Sequence, residues 1–227
     1  MLNDSICVLP KTNERVTSAL IMLHGYGANG DDLISMAPVL QQQNPHLAVY
    51  APNAPTQMGH DSYRWYSVDE LADETAFEQF GYVEKLMYRA KDQISLVNSF
   101  IDLIKEKHGL QDNDIALMGF SQGGLLALMT GLTRASFLNC LIGCSAVPLE
   151  LNNALTLPEV LSRPNTLLTH GEDDDRVPLV GMEMTENTLK NLDVAVTTHI
   201  VPGMGHDIDM SSVLAISEFL RVHTSTK

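Results

Sequence analysis

Residues 115–129 read IALMGFSQGGLLALM, and this stretch decides how the rest of the chain is interpreted. The apolar run at 115–118 is typical of a buried strand, and residues 124–129 are typical of a helix. Between them lies a G-x-S-x-G motif, residues 119–123, whose glycines permit a turn that is too sharp for a Cβ. A serine at such a strand-to-helix turn is held where a substrate carbonyl can reach it. The stretch therefore predicts a nucleophile elbow at Ser121.

Length and charge narrow the class of protein. The chain has 227 residues, and we expect residues 1–227 to form a single α/β domain. Its net charge of −14 argues against nucleic acid and against an anionic membrane as partners, because both would repel it. No signal peptide or membrane span is predicted, since the first solid apolar run, Ala19 to Leu23, is too short.

Cysteine usage indicates the compartment. The chain has three cysteines, Cys7, Cys140 and Cys144. The last two share one face of a predicted strand about 13 Å apart, which is too far for a disulfide. We therefore expect reduced thiols and a cytoplasmic protein.

Predicted strands and helices alternate along the chain. This alternation predicts an α/β fold, with a mostly parallel sheet and helices on both faces. The predicted strands are 19–23, 47–50, 115–118, 138–144, 166–169 and 194–201. The predicted helices are 32–42 with a kink or restart at Pro38, about 89–108 with a stop at Gly109, 124–129, 178–192 and a last one through 213–220.

The segment at about 56–85 is the least regular part of the sequence. It carries Trp65 and Tyr66, followed by a run of acidic residues with no base among them. One interpretation is a solvated acidic surface loop. The other is a mobile substrate flap whose Trp65 lines an acyl site.

Four turns that follow predicted strands carry reactive residues. They lie at 24–32, Ser121, 173–175 and His206. Ligands of open α/β sheets bind beyond the carboxyl ends of the strands. A serine hydroxyl is a weak nucleophile at neutral pH and needs a base and an orienting acid. The order serine, acid near 174, histidine is similar to that of α/β-hydrolases, so the sequence predicts a serine hydrolase.

Motifs spread over most of the chain resemble the phospholipase/carboxylesterase family, the small bacterial esterases related to acyl-protein thioesterases. They run in family order from about residue 20 to 220. The matching motifs are His24-Gly25-x-Gly27, Pro52-Asn53-Ala54-Pro55, Trp65-Tyr66, Gly119-Phe120-Ser121-Gln122-Gly123-Gly124, His170-Gly171-x-x-Asp174-x-x-Val177-Pro178 and Gly205-His206.

The resemblance implies a role for each of these positions. Ser121 is the nucleophile, His206 the general base and then acid, and Asp174 the residue that orients His206. The backbone N–H groups of Tyr26 and Gln122 form the oxyanion hole, and backbone donors of this kind suit a developing negative charge. Trp65 and Gly25 are implied as substrate contacts.

The resemblance also implies substrates and assembly. Short to medium acyl esters are the expected substrates, with protein S-acyl thioesters or lysophospholipids as alternatives, and a homodimer and transient lipid contact are implied too. Two departures bear on substrate choice. Ser67 follows Tyr66, at a position where family members often have an acid. The acidic loop after it has a length that is particular to this chain.

Other interpretations of the same residues stay open at this stage. Asp173 or Asp175 could orient the histidine in place of Asp174, and all three aspartates could instead cap the helix near Pro178. A binding module that recognises an acyl or protein partner is a further alternative, although binding alone requires no serine, acid and histidine at three separate strand ends.

Two more histidines precede a glycine at a predicted strand end. His24 and His170 are expected to hydrogen-bond a turn rather than to bind a ligand. A metal-assisted hydrolase would use His170 and His206 with Asp173 and Asp174, yet no His-x-x-x-His or Cys-x-x-Cys spacing supports a metal site. We expect no metal and no cofactor.

Overall fold

The computed structural model describes residues 2, 5–10, 15–68, 81–150 and 159–224. Its strands are β1 (Ser5–Val8), β2 (Ser18–Leu23), β3 (Leu47–Pro52), β4 (Thr56–Gly59), β5 (Ser62–Arg64), β6 (Ile115–Phe120), β7 (Cys140–Cys144), β8 (Asn165–Gly171) and β9 (Val196–Val201). Its helices are α1 (Gly30–Ile34), α2 (Ala37–Gln43), α3 (Tyr82–Lys91), α4 (Ile94–His108), α5 (Gln122–Thr133), α6 (Leu179–Asn191) and α7 (Met210–Thr224). Among these helices, none is long and apolar enough to cross a membrane.

Seven of the described strands form one mostly parallel sheet. Their order is β1-β3-β2-β6-β7-β8-β9, and β4 pairs with β5 in a separate hairpin. All neighbours from β3 to β9 pair in parallel, whereas β1 runs antiparallel to β3 at the edge. The carboxyl ends of β2, β6, β8 and β9 therefore meet at one edge, where ligands of such sheets bind.

The strand β2 shows why these strands are continuously apolar. Its side chains alternate between two cores because successive residues of a strand point to opposite faces. Leu20 and Met22 face α2 and α7, and Ile21 and Leu23 belong to the core that includes α4 and α5. Each fully buried side chain of this kind contributes about 1.5–3 kcal/mol to folding. Both faces of the sheet are covered, as the sequence predicts.

Several predicted helix boundaries agree with the structure and one is wrong. The break at Pro38 is confirmed, since α1 ends before it and Pro38 lies in the first turn of α2. The stop at Gly109 is confirmed by its φ of 67°. A helix from about residue 89 is wrong, because α3 begins at Tyr82 and is separate from α4. The helix α3 has an apolar stripe of its own, with Val83, Leu86, Met87 and Ala90 buried.

The prediction of an irregular segment at about 56–85 is wrong for its two ends. Residues 56–64 form the β4–β5 hairpin, and α3 begins within the segment. All four residues of β4 are exposed, so no apolar alternation marks it in the sequence. The hairpin is held by tertiary contacts: Gly27 N–H donates to Tyr63 O, and Tyr63 N–H donates to Ala28 O, both at 2.9 Å. Residues 69–80, the middle of the segment expected to act as a flap, lie outside the described residues.

The edge strand β1 has no counterpart in the sequence prediction. It is four residues long and, among the described strands, pairs with β3 alone, with Cys7 opposite Tyr50. Short, partly exposed edge strands carry little apolar pattern, so the pairing that creates β1 is a tertiary effect.

Candidate active site

Ser121 occupies a sharp turn between β6 and α5. Its φ is 52° and its ψ is −116°, a combination that residues with a Cβ rarely adopt. The turn is fixed on both sides, since Ser121 N–H donates to Cys144 O at 2.9 Å and Ser121 O accepts from Val147 N–H at 3.2 Å. A Cβ on Gly119 would overlap Gly123 O, so the elbow requires glycine there. The geometry is that of the nucleophile elbow that the sequence predicts.

Asp174 and His206 form a hydrogen-bonded pair. His206 Nδ1 lies 2.8 Å from Asp174 Oδ2, and because a carboxylate only accepts, Nδ1 carries the proton. The other carboxylate oxygen accepts the N–H groups of Arg176 at 3.0 Å and Val177 at 2.9 Å. The carboxylate is thereby aimed at the imidazole, which leaves Nε2 of the neutral ring as the basic nitrogen.

Electrostatics keep the Asp174 carboxyl ionised. Burial alone would raise its pKa, but the hydrogen bonds from His206 and from the backbone N–H groups outweigh burial and lower the pKa below its ordinary value. Asp173 and Asp175 are both exposed, whereas Asp174 is 6% exposed. The structure therefore pairs His206 with Asp174 rather than with either neighbour.

A close approach of two loops makes this pair. Asp173 N–H donates to Met204 O at 2.9 Å and Glu172 N–H donates to Val201 O at 3.0 Å. A Cβ on Gly171 would overlap the carbonyl oxygens of Met204 and Gly205, so glycine is required at the end of β8. This contact brings the loop after β9 against the acid.

Ser121 and His206 line one cleft of about 610 Å³. Phe120, the residue before Ser121, lies with its ring centroid 4.8 Å from that of His206. Gly25 and Tyr26 also line this cleft, on the turn after β2. The structure thus gathers the predicted nucleophile, base and first oxyanion-hole residue around one space, with Asp174 behind the base.

Gln122 is held in two ways at the cleft. As the first residue of α5, it has a backbone N–H with no acceptor inside the helix, which is the property an oxyanion donor needs. Its side chain is 2% exposed, accepts Trp65 N–H on Oε1 and donates from Nε2 to Tyr66 O, both at 2.9 Å. From the sequence only a role for the backbone group is predicted, since no sequence pattern indicates these side-chain hydrogen bonds to residues 65 and 66.

The expected substrate contact of Trp65 needs correction. Trp65 is 1% exposed, does not line the cleft, and donates from Nε1 to His24 O at 2.9 Å. The next residue, Tyr66, lines the cleft instead. Because the indole N–H is hydrogen-bonded to the turn after β2, Trp65 stabilises that turn and does not face the cleft.

The two other histidines of the motifs hydrogen-bond turns, which confirms the sequence prediction. His24 Nδ1 donates to Gly25 O at 2.8 Å, and its Nε2 accepts Ala54 N–H at 3.0 Å. His170 Nε2 donates to Val177 O at 2.7 Å. Burial lowers the pKa of both rings, so both are held neutral.

Two other features of the described residues bear on ligands. No group of three or more His, Cys, Asp or Glu side chains among them is placed to hold a metal ion. A second large cavity, of about 660 Å³, lies at the opposite end of the strands beside Ser18, Asn139 and Asn165. It includes none of the predicted site residues, and the chemistry described above belongs to the first cleft.

The chain is similar to known esterases and thioesterases. A family model described as Phospholipase/Carboxylesterase matches residues 5–224. The chain is 27% identical to acyl-protein thioesterase 1 of Emericella nidulans over 90% of this chain and 89% of that one. It is 26% identical to acyl-protein thioesterase 1 of Mycosarcoma maydis over 95% of each chain. The crystal structure of esterase PE8 superposes with a TM-score of 0.82 at 29% identity and covers 96% of this chain and 98% of that one.

Proposed function

Because the chain belongs to the phospholipase/carboxylesterase family, we propose that Ser121, His206 and Asp174 form the catalytic triad of a serine carboxylesterase. The family, the α/β-hydrolase fold and the hydrolase class that the sequence predicts are confirmed. The observation that carries the triad is the Asp174–His206 hydrogen bond beside the cleft that holds Ser121.

The first half of the reaction forms an acyl-enzyme. Ser121 Oγ attacks the ester carbonyl carbon while Nε2 of His206 takes the hydroxyl proton. The ionised Asp174 stabilises the imidazolium that results. The carbonyl oxygen becomes an oxyanion, which accepts from the backbone N–H groups of Gln122 and Tyr26. When the intermediate collapses, the C–O bond to the alcohol breaks and His206 gives its proton to the departing oxygen.

Water completes the cycle by the same groups. His206 removes a proton from a water molecule, whose oxygen attacks the acyl carbon. The second tetrahedral intermediate collapses, its C–O bond to Ser121 breaks, and the proton returns to Oγ. The carboxylic acid leaves, and the elbow is restored.

The acyl group is proposed to lie along the apolar wall of the cleft. This wall consists of side chains from the segment after β5, from α3 and from the loop after β7, namely Tyr66, Val68, Tyr82, Leu86 and Val147. Apolar side chains of this kind favour burial of an acyl chain. Acyl-protein thioesterase activity is the second candidate, because curated relatives matched over nearly their whole length carry that name.

Hydrolysis of p-nitrophenyl butyrate and labelling by a fluorophosphonate test the proposal. The wild-type protein should do both, and Ser121→Ala should abolish labelling and lower kcat by at least about 10⁴-fold. Ser99→Ala is the matched control, since Ser99 is an exposed serine on α4 that bonds only Ser95 O among the described partners. A binding module with this fold would show neither turnover nor labelling, and loss of turnover on chelation would favour a metal-assisted reaction.

Three further expectations remain proposals. One domain for residues 1–227 is supported by the single large sheet. A cytoplasmic location is supported by the free state of Cys7, Cys140 and Cys144 and by burial of the last two, which raises the pKa of both thiols. The homodimer implied by the family resemblance stays a prediction.

A further inference from the structure

A second, smaller pocket adjoins the cleft that holds Ser121. It encloses about 270 Å³ between α1, the start of α2 and the segment after His206. Gly25, Ala28, Asp32 and Phe120 line both spaces, so they form the partition between them. A bound molecule that reaches Ser121 over this partition can extend into either compartment.

The small pocket lies on the side of the general base. Asp207 and Ile208, which line it, directly follow His206 in the chain, and His206 itself lines the larger cleft. Phe120 forms a wall of this pocket and also packs on the His206 ring, with 4.8 Å between the centroids. In the proposed reaction His206 must protonate the departing oxygen, so the alcohol moiety leaves on the His206 side of the elbow.

We infer that the small pocket binds the alcohol moiety of the ester, and that this alcohol is short and carries no negative charge. The inference rests on the proposed function and deepens it by assigning the two moieties to the two compartments. The larger cleft, of about 610 Å³, is left for the acyl chain.

The lining of the pocket sets the chemical class of the alcohol. Apolar side chains form much of its lining, with Leu33 buried and Met36 and Ile208 partly buried. Its volume is just below the usual range for small-molecule sites, about 300–1,000 Å³, so the alcohol that it admits is small. Asp32 and Asp207 lie among the lining residues, which include no lysine or arginine in the described chain. Because no lysine or arginine offsets their charge there, the two carboxylates repel an anionic alcohol.

Two filling variants separate the compartments. Ile208→Trp fills the small pocket, and Val68→Trp, its matched control, fills the larger cleft; both side chains are partly exposed, so each site can take a larger ring. We expect Ile208→Trp to lower the ratio of kcat/KM for butyl butyrate to that for methyl butyrate by about tenfold. It should leave the ratio for methyl octanoate to methyl acetate unchanged. Val68→Trp should do the reverse.

A second variant tests the small pocket independently, in case Ile208→Trp does not fold. Met36→Trp fills the same pocket from the residue before α2 and should reproduce the effect of Ile208→Trp. An opposite pattern, in which filling the small pocket impairs long acyl chains, would overturn the assignment. Equal effects on both substrate series would also overturn it. A wild-type protein that cleaves none of these esters would instead refute the proposed function itself.

Charge gives an independent readout. Asp207→Asn should raise kcat/KM for the butyryl ester of glycolate relative to that for ethyl butyrate, because a carboxylate that repels the anionic alcohol is removed. Asp31→Asn is the matched control, since Asp31 is an exposed aspartate of α1 that does not line the pocket. If the two variants change this ratio equally, the anion-excluding role of the pocket is wrong.

Discussion

His206 Nδ1 donates a hydrogen bond of 2.8 Å to Oδ2 of Asp174, a carboxylate that is itself held by two backbone N–H groups. The acid is therefore a fixed part of the loop after β8, and the imidazole takes its orientation and tautomer from it. The two residues are 32 positions apart in sequence, and the contact between the loops after β8 and β9 joins them.

Asp174→Asn should lower kcat by about 10⁴-fold, because an amide N–H facing Nδ1 imposes the wrong tautomer on His206. The measurement is kcat for p-nitrophenyl butyrate. Asp173→Asn is the matched control, since Asp173 is the exposed neighbour. A large loss in Asp173→Asn together with normal turnover in Asp174→Asn would move the orienting role to residue 173.

Replacing Ser121 by glycine should stabilise the fold while it abolishes activity. The φ of 52° and ψ of −116° at Ser121 strain any residue with a Cβ, and such strain is worth about 1–3 kcal/mol. Ser121→Ala keeps the Cβ and the strain, so it is the reference. We expect the free energy of unfolding of Ser121→Gly to exceed that of Ser121→Ala by about 1 kcal/mol in urea titrations, after the entropic cost of glycine. Equal stability of the two variants would argue against strain at the elbow.

The Gln122 side chain should contribute to stability apart from any role in catalysis. Gln122→Ala leaves Trp65 N–H and Tyr66 O without their buried partner, which should cost about 2–4 kcal/mol in the free energy of unfolding. Urea denaturation measures it. Gln57→Ala, at an exposed glutamine of β4, is the control and should change stability by less than about 0.5 kcal/mol. Similar losses in both variants would contradict this contribution of the Gln122 side chain.

Neutral His24 should make stability depend on pH. Burial holds its pKa below the ordinary value, so between the two values the unfolded chain binds the proton and the folded chain does not. The contribution of His24 is therefore complete above about pH 6.5 and is lost as the pH falls through the pKa of the folded state.

We expect the free energy of unfolding of the wild-type protein to fall as the pH is lowered from about 7.5 to 5. In His24→Gln this fall should be less steep, by up to about 1.4 kcal/mol per pH unit. His60→Gln is the control, because the His60 side chain is 95% exposed. Parallel slopes in wild type and His24→Gln would show that His24 does not titrate as the burial implies.

Much of the architecture can be predicted from the sequence. The apolar runs of β2 and β6 are long enough to fill both faces of a sheet, and local glycines and a proline mark the breaks around them. The order of Ser121, Asp174 and His206 can also be predicted from the sequence, since each lies shortly after a predicted strand.

Other features depend on contacts that no local pattern encodes. The sequence leaves three adjacent aspartates as candidates, and burial against the loop after β9 selects Asp174. The sequence places Trp65 against the substrate, whereas the bond from its indole to His24 O turns it inward and leaves Tyr66 at the cleft.

By itself, then, the sequence determined the sheet and the turn at Ser121 and predicted candidates for the serine, acid and histidine of the proposed site, because these depend on residue type and on short-range periodicity. Only the tertiary structure decided which acid meets the base, which aromatic side chain faces the cleft and how that space divides at Phe120. Those outcomes depend on where backbone groups far apart in the chain find hydrogen-bond partners, and that is settled when the elements pack.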